Sequence, residues 1–282
     1  MPSLRQALKT MLPEALHPDI VGAYEVIGDI ALVTLPDELL PYKRQIGEAL
    51  LAAHARLRVV VRRCHVIGGE FRLGELEIIA GEPPLHTMHR ENGLRFAVDV
   101  EKVYFSARLA GERLRLARLS EDGERILVVG SGVAPLPLTL AAHGKAATII
   151  GIEKNPHAHA LALANLGHNR RHSHKVTLYN ADCLALTAAE SGPDFGLFNR
   201  LIIAMPEIAF AVLPRLIAFV KPGGFLHLYV FEDENRPEPS QELTLALAAA
   251  GRGIAAGGNI AAVRCGHCGR GRFRYCLDAQ LD

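Results

Sequence analysis

Two hydrophobic periods run along this chain, and the change between them divides it. In the N-terminal part the apolar runs are short. Leu4, Leu8, Met11 and Leu12 recur at helical spacing, which predicts a helix over residues 1–16 that Pro18 ends. Tyr24, Val26, Ile30 and Leu32 alternate on either side of Gly28-Asp29, the pattern of a hairpin. Residues 41–54 read as a helix with a proline at its start, and 59–61, 76–80, 85–89 and 94–98 as further short strands. From residue 109 the period lengthens. Residues 109–119 read as an amphipathic helix, followed by a repeating order of apolar strand, small-residue turn and helix.

The most informative of these units spans 126–156. Ile126 to Val129 reads as a buried strand, Gly130, Ser131, Gly132 and Ala134 as a small-residue turn, 135–143 as a helix, and 148–152 as a second buried strand that ends in Glu153. Glycines let backbone approach a ligand closely, and a carboxylate about 20 residues on can accept from both hydroxyls of a ribose. The Gly-Ser-Gly-Val-Ala spacing is shorter than the dinucleotide fingerprint, and no arginine follows Glu153 to suit a 2′-phosphate. S-adenosylmethionine (SAM) is therefore the expected cofactor, with a dinucleotide as the alternative. A third strand, 176–179, is closed by Asp182, placed to accept from an adenine amino group. Strands at 201–203 and 225–231, helices at 207–220 and 241–250, a Lys221-Pro222-Gly223-Gly224 turn and a final strand at 273–277 complete a seven-stranded sheet of the Rossmann-like, class I SAM-dependent methyltransferase type. The fold class expected is α/β, with a smaller N-terminal α+β domain. The expected divisions are a helical segment at 1–17, an α+β accessory domain at 18–106 and a SAM-binding catalytic domain at 107–282.

Composition changes this picture little. The 282 residues are 49% hydrophobic, and no apolar run reaches the ~18 residues that span a bilayer. With no signal-peptide core at the start, the expectation is a soluble, cytoplasmic protein without a membrane partner, and a monomer. A net charge of +1 does not announce a nucleic acid, so an electrostatic footprint must be local. Two basic sets qualify: Arg56, Arg58, Arg62 and Arg63 beside the accessory strands, and Arg170, Arg171, His172, His174 and Lys175 after the helix that follows Glu153. His143, His157 and His159 read as helix-surface residues. The five cysteines, an odd count without a secretory signal, point to reduced thiols. Cys265-Gly-His-Cys268 with Cys276 lacks a second paired motif, so no metal is expected, and 265–268 reads as a hairpin loop.

Read together, both halves carry a resemblance. Gly69-Glu-Phe-Arg72, Leu76 to Glu82, His89-Arg-Glu-Asn-Gly93, Val103-Tyr-Phe-Ser-Ala-Arg-Leu109 and Glu112-Arg113 occur in that order, with Lys221-Pro-Gly-Gly224 and His227-Leu-Tyr229 further on. The chain resembles the archaeal/eukaryotic-type tRNA guanine-37 N1-methyltransferase family and its relative, the aminocarboxypropyl transferase of the wybutosine pathway. The resemblance covers residues 20–280 and implies tRNA as partner. It implies that Glu153 holds the ribose and Asp182 the adenine, that Glu112 takes the N1 proton with Arg113 beside it, and that Arg72 faces the target guanine. Arg62, Arg63 and Arg108 are then candidate RNA contacts. Two positions depart from the family pattern. Val128 stands where an acid commonly closes the first strand, and Ala204-Met205-Pro206 stands where the methyltransferases carry Asn-Leu-Pro. The first expectation is methylation of N1 of the guanosine at tRNA position 37. The alternatives are aminocarboxypropyl transfer and a SAM- or RNA-binding protein that has lost catalysis.

Overall fold

The computed structural model describes residues 4–20, 24–64, 69, 71, 73–186, 195–233, 239–269 and 271–282. The chain forms two compact units, Met1–Arg108 and Leu109–Asp282.

The first unit opens with α1 (Leu4–Met11). This helix is shorter than the apolar spacing predicts, because Pro13 has no amide to continue the ladder and starts a 3₁₀ turn over Glu14–Asp19. Strands β1 (Tyr24–Ile27) and β2 (Ile30–Val33) form the expected hairpin, with Gly28 at φ 59°. Helix α2 (Lys43–Ala53) starts two residues after Pro41, which falls in another 3₁₀ turn, and carries the chain to β3 (Val59–Arg63), parallel to β2. Strand β4 (Leu76–Gly81) completes a four-stranded sheet in the order β1-β2-β3-β4. Leu8, Leu12, Val33, Ile46, Leu50, Val60 and Ile79 form its core. A separate hairpin pairs β5 (His86–Glu91) with β6 (Leu94–Asp99) across Asn92-Gly93, both with positive φ as this tight turn requires.

The second unit is a doubly wound sheet. In chain order it contains α3 (Ala110–Leu119), β7 (Arg125–Val129), α4 (Pro135–His143), β8 (Thr148–Glu153), α5 (Pro156–His168), the short α6 (Arg170–Ser173), β9 (Val176–Asn180) and β10 (Phe198–Ile203). It continues with α7 (Ala209–Leu216), β11 (Val220–Asp233), α8 (Pro239–Ala249), β12 (Ile260–Gly269) and β13 (Arg272–Gln280). The strand order is β12-β13-β11-β10-β7-β8-β9, with β13 antiparallel to β11 and β12 antiparallel to β13. The order reverses between β7 and β10, and ligands of such sheets bind outside the strand ends at that reversal. One face buries Leu127, Ile150, Leu201, Leu213, Leu226 and Leu277, and the other Leu116, Ile126, Val128, Leu140, Ile202 and Tyr229.

The Cys265 to Cys268 segment corrects the sequence reading. It is not a loop but part of β12, paired with β13 from Ile260 to Gly269. Its glycines fall at register shifts between Arg264 and Gly266 and between His267 and Gly269, where a bulge tolerates them. Lys221 to Gly224 likewise lies within β11, at the register jump that brings Phe225 opposite Arg200.

Candidate active site

The turn after β7 is built for close approach. Gly130, Gly132 and Ala134 adopt φ of 75°, 56° and 65°, and Ala134 caps α4. A Cβ on Gly130 would lie 2.5 Å from Met205 Cγ, so glycine there lets the segment after β10 fold over the turn. The amides of Gly130 and Ser131 both donate to the Ile152 carbonyl, at 2.9 and 3.0 Å, which ties the turn to β8.

That tie delivers Glu153. The Gly132 amide donates to one of its carboxylate oxygens and the Asn155 amide to the other, each at 2.8 Å. Each oxygen keeps a lone pair for a ribose hydroxyl. Burial pushes the Glu153 carboxyl up, against these backbone bonds. Asn155 caps α5, accepting from the His157 amide at 3.0 Å. Asp182 follows β9, where Lys154 Nζ lies 2.7 Å from one oxygen and the Leu184 amide 2.9 Å from the other. The hydrogen bond from Lys154 holds its carboxyl below the usual range. Ser131 Oγ is buried without a hydrogen-bond partner among the described residues. Positive-φ glycines, a carboxylate with lone pairs to spare and this orphaned hydroxyl fit a nucleoside with a ribose diol.

Glu112 and Arg113 are not an exposed helical pair. Both are buried on α3, 8% and 5% exposed. Glu112 accepts from Arg115 Nε at 2.7 Å, from Arg115 Nη2 at 2.8 Å and from the Tyr229 hydroxyl at 3.0 Å. Arg115 also reaches Asp278 at 2.5 Å. Asp278 accepts from His227 Nδ1 at 2.6 Å and from the Cys276 thiol at 3.1 Å. Arg200 donates to His227 Nε2 at 2.6 Å and to both oxygens of Glu124, at 2.7 and 2.9 Å. Because Nε2 accepts from a guanidinium, the His227 proton sits on Nδ1. Burial, with Arg200 behind it, holds this imidazole below its usual range. Burial opposes ionisation of Asp278, but bonds from His227 and Arg115 overcome it and hold the carboxyl far below its usual range.

One member of this ladder, Tyr229, lies level with the strand ends that carry the turn. Ile203 pairs with Leu228, so Tyr229 follows it in β11 as Ala204 follows it in its own chain. The Ala204 amide donates to the Val129 carbonyl at 2.9 Å. Val128 is fully buried in the core and offers no polar group at the strand end.

The roles of Arg115, Tyr229, His227, Asp278 and Arg200 escaped the sequence reading. Their signal was present but faint: Arg115 is one turn from Glu112, and His227/Tyr229 and Cys276/Asp278 share one face by strand alternation. His227, Cys276 and Asp278 lie close enough to share a metal ion. Arg200 and Arg115 already hold two of the three, and two guanidiniums disfavour a cation there. Burial, with Glu112 nearby, pushes Cys265 up to about 12. All five cysteines are free thiols.

In the first unit, Arg62 pairs with Glu77 at 2.9 Å, Arg63 with Glu25 at 3.0 Å and Arg58 with Asp29 at 2.9 Å. The charge of Arg108 also acts on Glu25. Three of the four arginines of the basic set on this unit, Arg58, Arg62 and Arg63, are thus matched by acids of the same unit. Arg72 lies outside the described residues. Among the described residues, no helix is long and apolar enough to cross a membrane.

Comparison with known proteins adds an independent line. The TRM5/TYW2 methyltransferase domain matches residues 87–249, and the TYW2 N-terminal domain matches residues 4–84. The tRNA (guanine(37)-N(1))-methyltransferase Trm5b of Pyrococcus abyssi is 33% identical over 226 residues, 80% of this chain and 65% of that protein. The chain thus spans just under two thirds of that relative's length. The tRNA(Phe) (4-demethylwyosine(37)-C(7)) aminocarboxypropyltransferase of Pyrococcus horikoshii is 29% identical, over 81% of this chain and 78% of that one. A solved complex of aTrm5 with tRNALeu superposes with a TM-score of 0.84 at 26% identity, covering 100% of this chain and 78% of that one.

Proposed function

Since the chain belongs to the TRM5/TYW2 methyltransferase family, we propose that it is a SAM-dependent tRNA modification enzyme that methylates N1 of the guanosine at position 37. The observation that carries this reading is the anchored Glu112 carboxylate at the same sheet end as the Glu153 and Asp182 cradle. Glu153 would hold the ribose diol and Asp182 the adenine amino group. SAM supplies an electrophilic methyl on a sulfonium. Guanine N1 carries a proton, so it attacks well only as that proton leaves. Glu112 is the acceptor: Arg115 and Tyr229 fix its rotamer, and Oε2, which has one described partner, keeps a lone pair for the proton. Charge then grows toward O6, the role the resemblance gives to the Arg72 guanidinium.

Two observations favour a second reading, aminocarboxypropyl transfer. The N-terminal 4–84 match is to the TYW2 domain, and Ala204 offers no side-chain hydrogen bond where the methyltransferases carry asparagine. One experiment tests both. Purified protein is incubated with SAM and unmodified or precursor-modified tRNA, and the nucleosides are weighed by mass spectrometry. A methyl increment on guanosine supports the first reading, and an aminocarboxypropyl increment supports the second. Neither increment on either tRNA overturns both.

A further inference from the structure

From Lys154 through Ala181 the chain carries no Asp or Glu, although the whole sequence has 30. The same stretch holds Lys154, Arg170, Arg171 and Lys175 and five of the thirteen histidines. Its basic end is α6 and the turn into β9, and α6 packs against α4, which brings His143 alongside. Arg170, Arg171 and His174 are exposed, and His172 and Lys175 are half-buried.

The charges here are held without compensation. Burial lowers the His172 imidazole, and Arg171, His143, His174 and Lys175 lower it further, every one of them a cationic or protonatable neighbour. Among the described residues, no carboxylate pairs with Arg170, Arg171 or Lys175. Elsewhere several arginines are matched: Arg58 by Asp29, Arg62 by Glu77, Arg63 by Glu25, Arg115 by Glu112, Arg200 by Glu124 and Arg252 by Asp282. In a chain of net charge +1, this acid-free stretch is therefore a local excess of positive charge. Like charges crowded together raise the free energy of the empty protein, and a bound polyanion relieves that cost.

The position suits an extended anion. Strand β9 is the outer strand of the seven-stranded sheet, with the basic turn at its start and Asp182 just past its end. Five residues at ~3.3 Å each separate them by less than about 20 Å along an open edge.

We propose that Arg170, Arg171 and Lys175, with His143, His172 and His174 around them, form a docking surface for backbone phosphates of the RNA substrate, set apart from the reacting end of the sheet. The inference rests on the reading that the substrate is RNA. It also moves the main phosphate-binding role among the described residues away from Arg62 and Arg63, whose charges acids of their own unit already match.

The test uses the full chain with Arg170, Arg171 and Lys175 changed together to glutamine. Fluorescence anisotropy with tRNA is recorded across a potassium chloride series, alongside SAM affinity and the single-turnover rate at saturating tRNA. The expected result is a slope of log affinity against log salt reduced by about two to three, at ~0.7–0.9 for each phosphate that the variant no longer neutralises. Affinity at moderate salt should fall at least tenfold, with SAM affinity, melting temperature and saturating rate unchanged. An unchanged slope overturns the docking surface and leaves the proposed activity untouched. Wild-type protein that binds tRNA, loses that binding in the variant, yet never modifies RNA keeps the surface and overturns the activity. Wild-type protein that does not bind RNA, including one that prefers an acidic protein, overturns both.

Discussion

Replacing Arg115 with methionine isolates the ladder's central joint. The guanidinium makes bonds of 2.7 and 2.8 Å to Glu112 and 2.5 Å to Asp278, so one substitution leaves two carboxylates short of their main partner. The Glu112 side chain is 6% exposed and that of Asp278 17%, so water replaces the missing bonds poorly. Breaking a buried ion pair from one side costs about 3–5 kcal/mol. Arg115 itself is 27% exposed, which places the expected loss near the lower end, at about 3 kcal/mol. For a unit of this size that corresponds to a drop of about 6–12 °C in melting temperature. Methionine keeps the apolar stem that packs on α3, so the loss reports the head group rather than a cavity. Glu112 is then steered by Tyr229 alone, and single-turnover transfer should slow while SAM affinity holds. Adding Glu112→Gln to the variant removes one of the stranded charges, so the two stability losses should be less than additive, by about 1–3 kcal/mol. Calorimetry on the four proteins of this cycle checks the magnitude, and rapid quench checks the rate. A melting temperature within about 2 °C of wild type, or strict additivity, would refute the view that Arg115 anchors Glu112.

Glu153→Ala should weaken SAM binding in titration calorimetry by about 1–3 kcal/mol for the missing charge-assisted bonds, and unchanged affinity would remove Glu153 from the site. His227 is neutral when folded, its imidazole held low by burial, so the unfolded chain takes up that proton first. Stability should therefore fall as pH drops below ~6.5, and His227→Gln should flatten that limb of a urea-melt series; an identical limb argues against the assignment. Gly130→Ala meets both a φ of 75° and Met205. It should cost about 1–3 kcal/mol and weaken SAM binding, with Met205→Ala recovering only the steric share in thermal melts.

The proposed cofactor half of the site was legible because it is local. A βαβ unit writes its turn, its acid and its strands within one stretch, so Gly130, Gly132, Glu153 and Asp182 could be located by counting. The proposed proton-accepting half was legible only in part. Glu112 came from a resemblance, while the residues that hold it lie on α3, β11, β10 and β13, and sequence spacing does not report which strands become neighbours. His227 opposite Asp278, and Tyr229 opposite Cys276, exist only once β13 inserts antiparallel beside β11. The basic arginines show the opposite limit. Arg58, Arg62 and Arg63 look like a cluster in one dimension, but Asp29, Glu77 and Glu25 arrive from other elements to neutralise them. Cys265 to Cys268 was misread because glycine marks a bulge as readily as a loop.

The late arrival of β13 bears on how the protein is made. The glycine turn, Glu153 and Asp182 all precede β10, and a chain emerging from the ribosome can order them as soon as the central parallel strands pair. Asp278 emerges after all of them, and without it Arg115 and His227 each lack a partner. A nascent chain would therefore possess its nucleoside cradle before it possesses a fixed proton acceptor. On the proposed function, translation arms the cofactor site first and the chemistry last, and a product truncated before β13 would bind SAM yet leave tRNA unmarked.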